Sequence, residues 1–192
     1  MAVKVLVAYA TKYDSTKGIA KFIAERLRQY SLDVDLQDIR SAHDLESYDA
    51  FVIGSAVYML RWLKEAREFV LQNRKLLASR PVWLFSSGPL GTVSKDAQGR
   101  DLRDVSGPRE IGTLREAVNP RNHKIFFGAL DVNKLGLGYR AVLKLPAVRE
   151  SLSEGDFRDW KEIEIWASGI AQELGPSSST VGTDSHIRIP PP

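Results

Sequence analysis

The sequence predicts an α/β domain, a doubly wound parallel sheet with helices on both faces. Two observations carry that prediction. Short, β-branched apolar runs alternate with segments whose apolar residues recur at helical spacing. The strongest runs are apolar almost throughout, as strands covered on both faces are. Alternating strands and helices imply right-handed βαβ crossovers, hence a parallel sheet.

The elements follow in order. Residues 3–9, VKVLVAY, read as a first strand buried on both faces. A polar turn follows, and then Ile19, Phe22, Ile23 and Leu27 mark one face of a helix. Residues 33–39, DVDLQDI, alternate apolar and polar side chains, as a strand nearer a sheet edge does. DAFVIGSAV at 49–57 is a third strand, buried and ending in small residues. Leu63, Ala66, Val70 and Leu77 share the next helical face. PVWLFSSG at 81–88 and HKIFFGAL at 123–130 are the fourth and fifth strands. A short helix is expected near 109–118. The last helix is expected over about 156–174, with Trp160, Ile163, Ala167, Ile170 and Leu174 in phase.

Residues 1–174 are therefore read as one domain carrying two long loops, 92–122 and 131–154. Loops of that length are usually functional or disordered. The stretch 175–192, rich in Ser, Gly and Pro, has no apolar period and is read as a flexible tail.

Composition narrows the function. The chain has no cysteine, which excludes disulfides, thiolate metal sites and a cysteine nucleophile. It fits a cytoplasmic protein, and the N-terminus does not read as a signal peptide. The histidines, His43, His123 and His186, are scattered without carboxylates at ligand spacing, so no metal site is expected. A net charge of +3 with no aromatic-basic motif does not point to nucleic acid. It suits an anionic small ligand or an anionic membrane surface.

In an open parallel sheet, ligands bind beyond the carboxyl ends of the strands, where strand order reverses. Three such ends carry unusual residues. In the first, Thr11, Tyr13, Ser15 and Thr16 supply four hydroxyls, with Lys12 among them, at the start of a helix. The orphan N–H groups and positive dipole there favour a phosphate, and hydroxyls add donors without adding charge. The plain alternative is that Asp14 or Ser15 caps the helix. The second end runs from Ser55, Ala56 and Val57 to Tyr58, Met59 and Trp62, with aromatics suited either to a planar ring or to plugging the sheet end. The third, Ser86, Ser87, Gly88, Pro89, Leu90 and Gly91, is a turn that lets backbone groups approach a ligand. GLGYRA at 136–141 matches a dinucleotide pattern but lies between no strand and its helix, and is set aside.

These three ends together resemble a flavodoxin-type domain. YATKYDSTKGIA resembles the phosphate loop of one flavodoxin-like subgroup, that of the menaquinone-dependent protoporphyrinogen dehydrogenases. FFGAL and the later DFRDWKEIEIWA resemble its C-terminal signature, and the likeness extends over most of residues 3–174. It implies a five-stranded sheet of order 2-1-3-4-5 and noncovalent FMN. The phosphate would lie at Thr11 to Thr16, one side of the isoalloxazine at Ser55 to Trp62, and its pyrimidine edge at Ser86 to Gly91. Tyr58 is the preferred stacking residue, with Trp62 as the other choice. The sequence departs from ordinary flavodoxins in its basic balance and in Asp14-Ser15, where a glycine usually stands.

The implied activity is an FMN-dependent oxidoreductase that passes electrons to a quinone or another acceptor, with no catalytic base identified. The alternatives are an electron shuttle serving a protein partner, or a fold that has lost flavin. In the first reading Arg61, Lys64, Lys95, Arg100 or Arg103 attract the propionates of a tetrapyrrole. Otherwise they are solvated loop cations. Segment 134–149 interleaves basic and apolar residues and is read as packing on the sheet, a homodimer contact or a peripheral membrane contact.

Overall fold

A computed structural model describes residues 2–88, 98–101, 103, 107–131 and 154–175. Pro89, Leu90, Gly91, Lys95, the 134–149 segment with its glycine motif, and residues 176–192 lie outside the described residues. The sheet contains β1 (Lys4–Ala10), β2 (Asp33–Asp38), β3 (Ala50–Tyr58), β5 (Val82–Ser87) and β6 (Asn122–Phe126). They pair in parallel in the order β2-β1-β3-β5-β6. This is the expected 2-1-3-4-5 arrangement. The numbers differ because a two-residue strand, β4 (Arg61–Trp62), folds back antiparallel on the end of β3.

The pleat divides the core into two layers. Val5, Val7 and Tyr9 of β1, with Val52, Trp83 and Phe85, face α1 (Ser15–Gln29) and the last helix, α5 (Trp160–Leu174). The alternate residues Leu6, Ala8, Phe51, Ile53 and Leu84 face α2 (Lys64–Gln72), α3 (Arg74–Ala78) and α4 (Ile111–Val118). Ile163 and Ile170 of α5 are fully or almost fully buried, and each such side chain contributes roughly 1.5–3 kcal/mol. Gly54 of β3 is a packing requirement. A Cβ there would overlap the Cζ end of the Phe85 ring, whose face covers the glycine.

Three expectations are revised. The helical face read from Leu63 to Leu77 is split at Asn73, whose side-chain amide donates to the Phe69 carbonyl at 2.8 Å. The fifth strand stops at Phe126 instead of reaching residue 130. Beyond it, β7 (Ala129–Leu130) leaves the sheet and pairs antiparallel with β8 (Gly155–Asp156). The last helix accordingly begins at Trp160, where the Asp159 carboxylate accepts from the Glu162 N–H at 3.0 Å and caps it. No helix among the described residues is long and apolar enough to cross a membrane.

Candidate functional site

The loops after β1, β3 and β5 converge at the carboxyl end of the sheet, beside the β7–β8 ribbon. Helix α1 starts there without a side-chain cap. Asp14 occupies the cap position with φ 65°, and its exposed carboxylate makes no capping hydrogen bond. The Ser15 hydroxyl is spent elsewhere: it accepts from the Ala129 N–H at 2.9 Å and lies 3.2 Å from the Ser87 hydroxyl. Capping is therefore not what these residues do. Ser15 instead ties together the turns that follow three strands. Gly128 packs closely at that junction: a Cβ there would lie 3.2 Å from the Gly88 carbonyl oxygen and 3.4 Å from both serine hydroxyls.

Thr16 is fully buried in the first turn of α1, and its Oγ1 has no hydrogen-bond partner among the described residues. An orphaned buried hydroxyl costs about 1–3 kcal/mol. It sits beside the uncapped N–H groups and the positive end of the α1 dipole, which together suit an anion. A cavity of about 370 Å³ opens at this corner, bordered by Tyr13, Ser15, Ala129 and the Arg158 cation and also by the acids Asp14, Asp131, Glu154 and Asp156. The Arg158 guanidinium lies across Gly18, where a side chain would strike it, and rests 4.4 Å from the Trp160 ring centroid. Its hydrogen bonds at 2.5 and 2.7 Å hold the Asp156 carboxyl below the usual carboxylate range.

An aromatic rim stands over the second loop. Tyr13 and Tyr58 meet edge to face with centroids 6.3 Å apart, and the Lys12 ammonium lies 5.5 Å from both rings. Beyond Tyr58 the chain reverses through Met59 (φ 49°) and Leu60 (φ 59°). Two left-handed residues in succession make the hairpin turn usually given to Asn-Gly, and each non-glycine residue held there stores strain. Met59 is 94% exposed at its tip.

The remaining predicted residues are distributed differently. Thr11 and Val57 are half-buried and Ala56 is buried at the strand tips. Ser55 is fully buried, donating to the Ala56 carbonyl at 2.9 Å and accepting from the Leu63 N–H at 3.1 Å. Trp62 does not stand over the loops as a second stacking ring. It is buried in the core, its indole N–H donating to the Ser86 hydroxyl at 2.8 Å. That same oxygen lies 2.9 Å from His123 Nε2. Burial, with Arg115 nearby, lowers the His123 pKa from 6.5 to about 4, so the ring is neutral at physiological pH. Gly88 is half-buried, and its N–H donates to the Phe126 carbonyl at 3.0 Å.

Arg158 and His123 were not foreseen as part of this region. Only three-dimensional proximity brings them to Gly18 and Ser86. A separate cavity of about 1200 Å³, lined by Lys4, Asp35, Tyr48 and Asn73, opens at the amino end of the sheet, away from these loops. Tyr48 there is satisfied, donating to Asp35 and accepting from Gln37, and among the described residues that line this recess none has a buried side-chain polar atom without a partner.

The flavodoxin domain family matches residues 6–153. The chain is 24% identical over 176 residues to the protoporphyrinogen IX dehydrogenase [quinone] of Escherichia coli strain K12, covering 88% of this chain and 94% of that protein. Flavodoxin 1 of Bacillus cereus superposes with a TM-score of 0.56 at 12% identity, over 90% of this chain and 99% of the other. The rubredoxin oxygen:oxidoreductase of Desulfovibrio gigas superposes with a TM-score of 0.56 at 14% identity. That match takes in 89% of this chain but only 36% of the longer protein.

Proposed function

The chain belongs to the flavodoxin domain family, and from that premise we propose that it is an FMN-dependent oxidoreductase carrying electrons from a reduced tetrapyrrole to a quinone. One observation supports the cofactor's place above the rest: the buried Thr16 hydroxyl, without a partner, at the uncapped start of α1. A phosphate monoester is the group that satisfies it. The FMN ring supplies the redox chemistry when bound.

The chain's own residues bind and orient. Thr16 Oγ1 and the first N–H groups of α1 donate to the phosphate, with Thr11 and Lys12 beside them and the Arg158 cation across Gly18. Ser15 holds the loops in register rather than serving only as a ligand. Tyr58, braced by Tyr13, covers one side of the ring. Ser87 and Gly88, continued by Pro89, Leu90 and Gly91, approach its edge. Ser55, Trp62 and Ser86 act from below, through the hydrogen bonds that shape the β3 and β5 ends.

A second reading, an electron carrier docking on a protein partner, is favoured by Met59. An almost fully exposed apolar side chain beside the aromatic rim is what a transient protein contact uses. Absorption spectra of purified protein, before and after FMN addition and removal of unbound ligand, test the cofactor. Retained flavin bands are expected. Anaerobic mixing of the loaded protein with protoporphyrinogen and a menaquinone analogue then separates the readings. Turnover supports the enzyme. Its absence, alongside rapid exchange with a reductase, supports the carrier.

A further inference from the structure

On the α4 side, a cleft of about 690 Å³ lies between the start of that helix and β6, and reaches Glu162 of α5. Its volume is in the range of small-molecule sites. Among the described residues its cations exceed its acids by two: Arg103, Arg109, Arg115 and Lys124 against Asp101 and Glu162. Both acids are already engaged. Glu162 Oε1 receives Arg103 Nη1 and Lys124 Nζ, each at 2.8 Å, and Asp101 takes the rest of the Arg103 guanidinium. Arg109 and Arg115, both exposed, have no carboxylate partner among the described residues.

Three further facts point the same way. Arg115 lies one turn after Ile111, so both sit on the helix face that borders the cleft. Helix α4 begins without a side-chain cap, because Glu110 turns its carboxylate to the Trp62 N–H at 2.8 Å. His123 lines the recess as a neutral ring and adds no acid to balance the arginines.

We propose that this cleft is a second ligand site, which binds a small anion through a carboxylate or phosphate group held by Arg109 and Arg115. An anion there is drawn by the two guanidiniums and by the positive end of the α4 dipole. The cleft is wired to the loops above the sheet. The Arg109 N–H donates to the Leu60 carbonyl at 2.9 Å, inside the strained hairpin, and His123 shares the Ser86 hydroxyl with Trp62. The proposal is independent of the flavin reading and stands or falls separately.

The test titrates the full chain with inorganic phosphate and, in a second arm, with succinate, at constant ionic strength balanced by chloride. The readout is the His123 ring resonance. Saturable displacement is expected in at least one arm, and the arm that saturates at lower concentration assigns phosphate or carboxylate as the preferred group. At saturation the His123 titration moves upward, because a nearby anion favours the imidazolium. Arg109→Gln and Arg115→Gln are each expected to weaken binding at least tenfold, whereas Lys21→Gln, on the exposed face of α1, leaves it unchanged. A response in both arms no larger than that to chloride overturns the proposal. So does saturation that neither arginine variant alters.

Discussion

Replacing Thr16 by valine should move two measurements in opposite directions. The substitution keeps the branched shape in the first turn of α1 and removes a hydroxyl that is fully buried with no partner among the described residues. In the flavin-free protein that hydroxyl carries a desolvation penalty without a compensating bond, so valine should stabilise the fold by about 1 kcal/mol. In the proposed FMN complex the hydroxyl donates to a charged phosphate oxygen, an interaction of roughly 1.5–3 kcal/mol. Its loss should weaken FMN binding roughly 10- to 150-fold. Urea denaturation of the flavin-free protein gives the first quantity, and quenching of FMN fluorescence gives the second. A variant less stable than the parent, with an unchanged dissociation constant, would refute the reasoning. It would mean that the hydroxyl already has a structural partner and that the phosphate lies elsewhere.

The other expectations concern the frame around the site. His123 stays neutral in the fold down to about pH 4, whereas the unfolded chain takes up that proton near 6.5. Between those values the unfolded state binds more protons, so stability is full above about pH 6.5 and falls as pH drops towards 4, by roughly 3 kcal/mol at most. Denaturant midpoints over that range should show the slope in the parent, and His123→Gln should flatten it. An identical slope in both proteins would assign the effect to another group. Gly54→Ala makes a methyl overlap the Cζ end of the Phe85 ring and should cost about 2 kcal/mol or more, read as a lower urea midpoint. Ser15→Ala removes the acceptor of the Ala129 N–H and should cost about 1–2 kcal/mol. Amide exchange at Ala129 should then accelerate, and unchanged protection there would show that the N–H has found another acceptor.

Some parts of this protein could be read directly from the chain. The long strands other than the second were legible because strands covered on both faces must be apolar almost throughout, and runs such as VKVLVAY have few other uses. The second was legible from its alternation. The two ribbons were not. β4, β7 and β8 are two residues each, too short to carry a period, and exist because distant segments meet them. The end of the fifth strand was misjudged for the same reason. FFGAL is apolar enough to continue, but the Ser15 hydroxyl draws the Ala129 amide out of the sheet.

The candidate site divides along the same line. Local chemistry marked the turn after β1, since hydroxyls crowded at a helix start stand out in any sequence. What each hydroxyl does depends on neighbours far away in the chain. Ser15 is consumed by Ser87 and Ala129, and Thr16 is left without a partner. From the sequence Tyr58 is the preferred residue to cover a ring, and Trp62 is the other choice. Yet Ser86 and the α4 side of the core claim Trp62, and Tyr58 remains at the rim against Tyr13. By itself the sequence determined the layers, the strand order implied by its family likeness, and the hydroxyl-rich turn after β1, because periodicity and helix-end chemistry are local. Only the tertiary structure decided which polar groups are spent on holding loops together and which remain for a ligand. Hydrogen-bond satisfaction is a property of packed neighbours, and spacing along the chain does not encode it.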